Sequence, residues 1–305
     1  MKIKQQVAIC ILTLSAQFIS ASDGTWTSDT NGHWSNENNW QDSIVADGPR
    51  SIATFDRSNY SLGRTILLNK SITLGKLLFI NSGTDGEQRN VIITSDDQSL
   101  LTLDNTPTAI LTNSGAGAAR IDPAVALLSD LRISNSTTTF LGVNSPISAA
   151  SKGKKVITFM PSNARINMAG TISDGSGELA LIIRTDNSSV NFHANNSFTA
   201  GTTIQSGTVT TNKQGTLGTG DIKLTDGRLI LGHAKSIHHT ATLDFGLRSS
   251  INLNYNGSMR IADAVINNTS IGPGTYTSSQ LNKFFGAKFF SGKGKLTITS
   301  DRTNK

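Results

Sequence analysis

NSFTAGTTIQSGTVTTNKQGTLGTGDIKLTDGRLIL, residues 196–231, contains four short β-branched runs, at 202–204, 208–211, 222–225 and 229–231. Glycine punctuates them at Gly201, Gly207, Gly215, Gly218, Gly220 and Gly227. A chain that extends, turns on glycine and extends again is expected to coil, one strand stacking on the next. The stretch therefore reads as part of a solenoid. The fold class expected for the chain is all-β, a single-stranded right-handed parallel β-helix with capped ends.

The flanking sequence keeps the pattern. Residues 65–69 and 71–79 alternate apolar with polar, which turns Ile66, Leu68, Ile72, Leu74, Leu77 and Phe79 inward. Further strands are expected near 91–94, 100–103, 109–112, 131–134, 156–159, 164–168, 179–183, 190–192, 251–254 and 295–299. Two stretches invite a helix of one or two turns, AVALLSD within 123–130 and SSQLNKFF at 278–285. Strand starts about 8 to 12 residues apart also suit a sandwich or barrel. Hairpin signals are scarce, however, with Asn31-Gly32 and Asn256-Gly257 the two Asn-Gly pairs. At roughly 20 to 25 residues per coil, 11 to 14 coils and a rod of roughly 50 to 65 Å are expected.

Residues 1–22 read as a signal peptide: Lys2 and Lys4, an apolar stretch at 7–19, then Ser20-Ala21-Ser22. The expected cut follows Ser22, with Ala21 as the alternative. The apolar stretch is too short to favour a membrane span. Ile9 precedes Cys10 where a lipid-attachment motif requires a small residue. The single cysteine lies within this segment, so the mature chain is expected to lack disulfides, thiolate metal sites and thiol nucleophiles. Removal of Lys2 and Lys4 lowers the formal net charge from +6 to +4. Charged residues make up 16% of the chain, against about 25% in an average globular protein. Lys152, Lys154 and Lys155 cluster, as do Lys283, Lys288, Lys293 and Lys295. Neither cluster is interleaved with aromatics densely enough to predict nucleic-acid binding.

Residues 23–60 are expected to form a Trp-rich N-terminal cap, 61–270 the β-helix with its clearest repeat at 196–231, and 271–305 a closing unit. Caps are needed because an open helix end exposes strand edges.

The chain resembles the bacterial autotransporter-associated β-strand repeat, also called the passenger-associated transport repeat. The residues that carry the resemblance are Gly201-Thr202-Thr203, Leu217-Gly218-Thr219-Gly220 and Gly227-Arg228-Leu229. At the N-terminal side Trp34-Ser35, Asn39-Trp40, Pro49 and Ala53-Thr54-Phe55 match a lead-in of that class. Gly274-Thr275-Tyr276 and the strand of Gly292-Lys293-Gly294-Lys295-Leu296 match its closing unit. The resemblance implies a pectin-lyase-like β-helix, secreted, held at the cell surface or kept in the periplasm. It implies a passenger-like contact role. No membrane barrel is expected within the chain, so export is expected to need a separate translocator.

Candidate chemistry is sparse. Trp26, Trp34 and Trp40 are the candidate carbohydrate-contact residues, since indole faces stack on sugar rings; the same rings equally suit a plug for the first coil. Glycoside hydrolysis needs two positioned carboxylates. Asp96-Asp97 are adjacent, and neighbouring residues on a strand diverge. Thr185-Asp186-Asn187 and Gly232-His233 are similar to scattered pieces of the polygalacturonase pattern, in the wrong order and with the wrong neighbours. His33, His193, His233, His238 and His239 are too dispersed to predict a metal centre. No catalytic, metal or cofactor residue is therefore expected. The expected function is a non-enzymatic scaffold or adhesin-type contact with a polysaccharide or cell-surface component, without stable membrane insertion. The alternative is a carbohydrate-active β-helix that binds or cleaves an acidic polysaccharide.

Overall fold

The computed structural model describes residues 21–83, 86–96, 99–212 and 214–300. Of the signal peptide expected at 1–22, residues 1–20 lie outside the described residues. The chain is 51% strand and 6% helix, and its parallel strands stack into a β-solenoid of about 9 turns. The middle coils carry strands on three faces. Thr108–Asn113, Ala119–Ile121 and Ala124–Leu127 make up one coil, and Asp130–Asn135, Phe140–Val143 and Ile147–Ala149 repeat it directly above. Each step between these coils is a parallel crossover, the connection whose hand follows from the twist of its strands.

In-register stacking explains why alternation suffices to build the core. On the first face Leu77, Leu111, Ile133, Phe159, Ile183, Ile204, Leu224 and Phe245 form one continuous column, one residue per coil. On the second face Ile66, Ile93, Ile121, Val143, Met168 and Phe192 do the same. All are buried. The six inward residues expected from alternation at 65–79 are buried as well. Polar breaks in these columns are bonded internally: Thr211, above Phe192, donates to Ser236 Oγ at 2.7 Å.

Fewer coils form than the 11 to 14 expected, and about 9 turns at about 4.8 Å give a rod roughly 43 Å long. Late coils are short, with Thr202 pairing Ile222 after 20 residues (222 − 202). Early ones are long, because corners are expanded. Leu77 meets Leu111 only after 34 residues (111 − 77).

Residues 123–130 are not helical. Ala124–Leu127 is a strand of the third face, with Val125 and Leu127 buried between Leu101 and Leu103 below and Ile147 and Ala149 above. The expected helix at 278–285 is present as Ser278–Phe285. Thr277 and Gln280 form a reciprocal capping box, and Gly286 ends the helix in the left-handed conformation at φ 70°. The helix lies over the last coils, bringing Phe285 to 5.2 Å from the Phe245 ring. Gly274–Thr277 then pairs antiparallel with Lys295–Ile298, closing the third face.

The other end is closed by residues 22–47. Ser22 pairs with Asp47, and its hydroxyl donates to the Val45 carbonyl at 2.7 Å. Trp26 pairs with Trp40 across the end of the first coil.

Candidate functional site

The three tryptophans expected to contact sugar are core residues. Trp26, Trp34 and Trp40 are 0%, 1% and 3% exposed. Their rings pack on one another, with Trp34 and Trp40 centroids 4.9 Å apart, and all three pack on Phe55. Each indole N–H is spent internally, on the Ser28, Ala46 and Trp34 carbonyls respectively. No indole face is left for a ligand. The carbohydrate-contact expectation fails there because plugging the first coil buries more aromatic area than an exposed platform would.

A large surface recess lies elsewhere, along the corner between the first and second faces. It encloses about 1280 Å³ and takes lining residues from six successive coils. At about 4.8 Å per coil it runs roughly 24 Å along the axis. Stacking aligns its floor. Arg165, Ser189, Thr208, Arg228 and Ser250 occupy one register position on the second face, in consecutive coils. The buried neighbours Ile166, Val190, Val209, Leu229 and Ile251 follow them in the chain and fix the outward orientation.

The corner itself supplies the wall. Asn163 and Asn187 adopt positive φ values of 57° and 49°, which asparagine tolerates better than most residues. Gly207 and Gly227 do so at 84° and 99°, and a Cβ on Gly227 would sit 2.4 Å from the Gly207 carbonyl. Tight glycine corners above the wider 184–188 corner leave a continuous recess rather than a ridge.

Arginine dominates its charge. Arg165 and Arg228 are exposed, and among the described residues neither has an ion-pair partner. Arg248 is held by Asp226, Nε to Oδ2 3.1 Å. One carboxylate, Asp186, lines the recess, while its carbonyl accepts from Ser188 Oγ at 2.9 Å. The remaining lining is mainly hydroxyl and amide, and Phe140, partly exposed, precedes Arg165 in the same register column. Such a surface can bind by charge and by hydrogen bonds to hydroxyls.

The other sequence candidates do not converge on it. Thr185-Asp186-Asn187 lies in the recess, but Gly232-His233 turns away, with His233 Nε2 2.8 Å from the Gly215 carbonyl. Asp96 accepts from Ser99 Oγ at 2.5 Å, and Asp97 lies outside the described residues. The His238 and His239 rings lie 4.2 Å apart in a turn, tilted by 45°. Burial, together with the neighbouring His239, holds His238 below the usual imidazole range. Among the described residues no three His, Cys, Asp or Glu side chains come together as a metal centre would require.

Sequence reading placed Arg165 within an expected strand and left Ser189 and Arg228 just outside theirs, and it gave none of the three a role at a site. Their common column depends on coil length, 24 residues from Arg165 to Ser189 (189 − 165) and 19 from Ser189 to Thr208 (208 − 189). Uneven spacing hides it from a search for a fixed period. Comparison with family models, curated proteins and solved structures gave no significant match.

Proposed function

We propose that this chain is a non-enzymatic, extracytoplasmic β-solenoid that acts by contact, as a scaffold or adhesin-type rod. The six-coil recess is its contact surface. One observation carries this reading: a long, open, hydroxyl- and amide-lined channel with two unpaired arginines and a single lining carboxylate. Acid–base cleavage of a glycosidic bond calls for a pair of carboxylates, and Asp226 at the margin is drawn to Arg248.

Secretion follows from the basic start and apolar stretch at 1–22. Ser22 makes two backbone bonds with Asp47 and a side-chain bond to Val45. Those bonds favour cleavage after Ala21, which leaves Ser22 to make them, over cleavage after Ser22. Mass spectrometry of the exported protein is expected to find Ser22 as the first residue.

The contact role is tested by incubating the mature protein with bacterial envelopes and with charged and neutral polysaccharides. Retained protein and released product are assayed in the same tubes. Retention without product is expected. Product release from any polymer would overturn the non-enzymatic reading and turn attention to Asp186 and Asp226.

A further inference from the structure

We propose that the recess binds a linear acidic polysaccharide laid along the solenoid axis, anchored at Arg165 and Arg228 and repelled at Asp186. The inference rests on the contact reading and specifies its ligand. Arg165 and Arg228 share one register position and stand three coil steps apart. The separation is roughly 14 Å at about 4.8 Å per step. No single small anion bridges that distance. A chain carrying acid groups at intervals does, and the roughly 24 Å recess accommodates several sugar units in line.

Between the two cations the floor is Ser189 and Thr208, short hydroxyls that donate to and accept from sugar hydroxyls without blocking the channel. Guanidinium is suited to this task, because its planar fork meets a carboxylate in a bidentate pair. The floor carries hydroxyls and two separated guanidinium groups, with Phe140 beside Arg165 at one end, rather than a run of aromatic rings along its length. Single-stranded nucleic acid is held by base stacking on aromatic side chains. A protein partner is anchored mainly by large side chains seated in pockets, whereas this recess is an open channel. Asp186 adds direction: it accepts sugar hydroxyls but disfavours an acid group at its own register.

The test measures binding of the mature protein to polygalacturonate, with its fully methyl-esterified form, a neutral glucan and single-stranded DNA in parallel. Arg165→Gln and Arg228→Gln are each expected to weaken polygalacturonate binding about two- to five-fold, and together roughly ten-fold. Asp186→Asn is expected to strengthen it about two- to five-fold, a gain that lost structure does not produce. Added salt should weaken wild-type binding more steeply than the double variant. Unchanged thermal melting shows that the variants fold. Equal retention on the esterified or neutral polymer, indifference to the arginines, or preference for DNA would overturn the inference. Binding to envelopes but to no acidic polysaccharide would overturn it and leave the contact role standing; product release would overturn the contact role.

Discussion

Arg57 is fully buried, yet its guanidinium reaches an amide rather than a carboxylate. Nη2 donates to Asn113 Oδ1 at 2.5 Å and to the Ala118 carbonyl at 3.2 Å. Asn113 in turn donates to Asn135 Oδ1 at 3.1 Å, and Asn135 donates to the Arg165 carbonyl at 2.8 Å. From Asn113 this buried amide ladder ties three neighbouring coils and ends on the backbone of a recess arginine, while Arg57 joins it from two coils away. Burial pushes the Arg57 guanidinium down to about 10, a shift that Tyr60 and Asp56 oppose. Replacing Asn135 with alanine is expected to cost about 1 to 3 kcal/mol, because Asn113 and the Arg165 carbonyl lose a buried partner. Thermal or denaturant unfolding measures it. Burial also pushes the Tyr60 and Tyr255 hydroxyls well above the usual phenol range. Their contribution to stability is complete below pH 10 and lost as pH rises, since the unfolded phenols ionise first. An alkaline titration should find phenolate absorbance from these two of the three tyrosines only as the fold melts. The inward set Ile66 to Phe79 was legible because alternation on a strand states which side is apolar. The buried Arg57 was not, since polarity argues for the surface and only the structure shows its amide partners.

At the scale of elements, corners decide as much as strands. Gly227 combines φ 99° with a Cβ position 2.4 Å from the Gly207 carbonyl. Gly227→Ala is therefore expected to destabilise the protein by about 2 kcal/mol or more. The same change at Gly257, with φ 88° but nothing within 4 Å of its Cβ, is expected to cost only the conformational part, about 1 to 2 kcal/mol. Paired melting curves separate the two. The helix at 278–285 was legible as SSQLNKFF, and the structure adds the local signals that bound it, Thr277 with Gln280 at the start and Gly286 at the end. Ala124–Leu127 was misread because a short apolar run fits either period. Its neighbours in the adjoining coils select the strand, and those neighbours are remote in sequence.

Over the whole molecule, each coil touches mainly the coil above and below, so stability is a sum of nearest-neighbour interfaces. Phe159 sits mid-column, buried between Ile133 and Ile183 and 5.8 Å from the Phe192 ring. Phe159→Ala is expected to cost about 3 to 5 kcal/mol and to loosen neighbouring coils first, which hydrogen exchange would localise. The solenoid was legible in the glycine-punctuated strands of 196–231, whereas the recess was not. It arises from uneven coils brought into one register, so the arginine column exists only once the coils are stacked. That register is the central claim, and cysteine pairs test it most directly. In a Cys10→Ser background, Ser189→Cys with Thr208→Cys places both residues opposite each other on adjacent coils. Their Cα separation, about 4.8 Å, is within disulfide range. Ser189→Cys with Thr210→Cys is two residues out of register, and at roughly 8 Å is beyond it. The account predicts rapid oxidation of the first pair in the folded protein and none of the second. Equal cross-linking of both pairs, or oxidation of the second alone, would contradict the register and remove the arginine column with it.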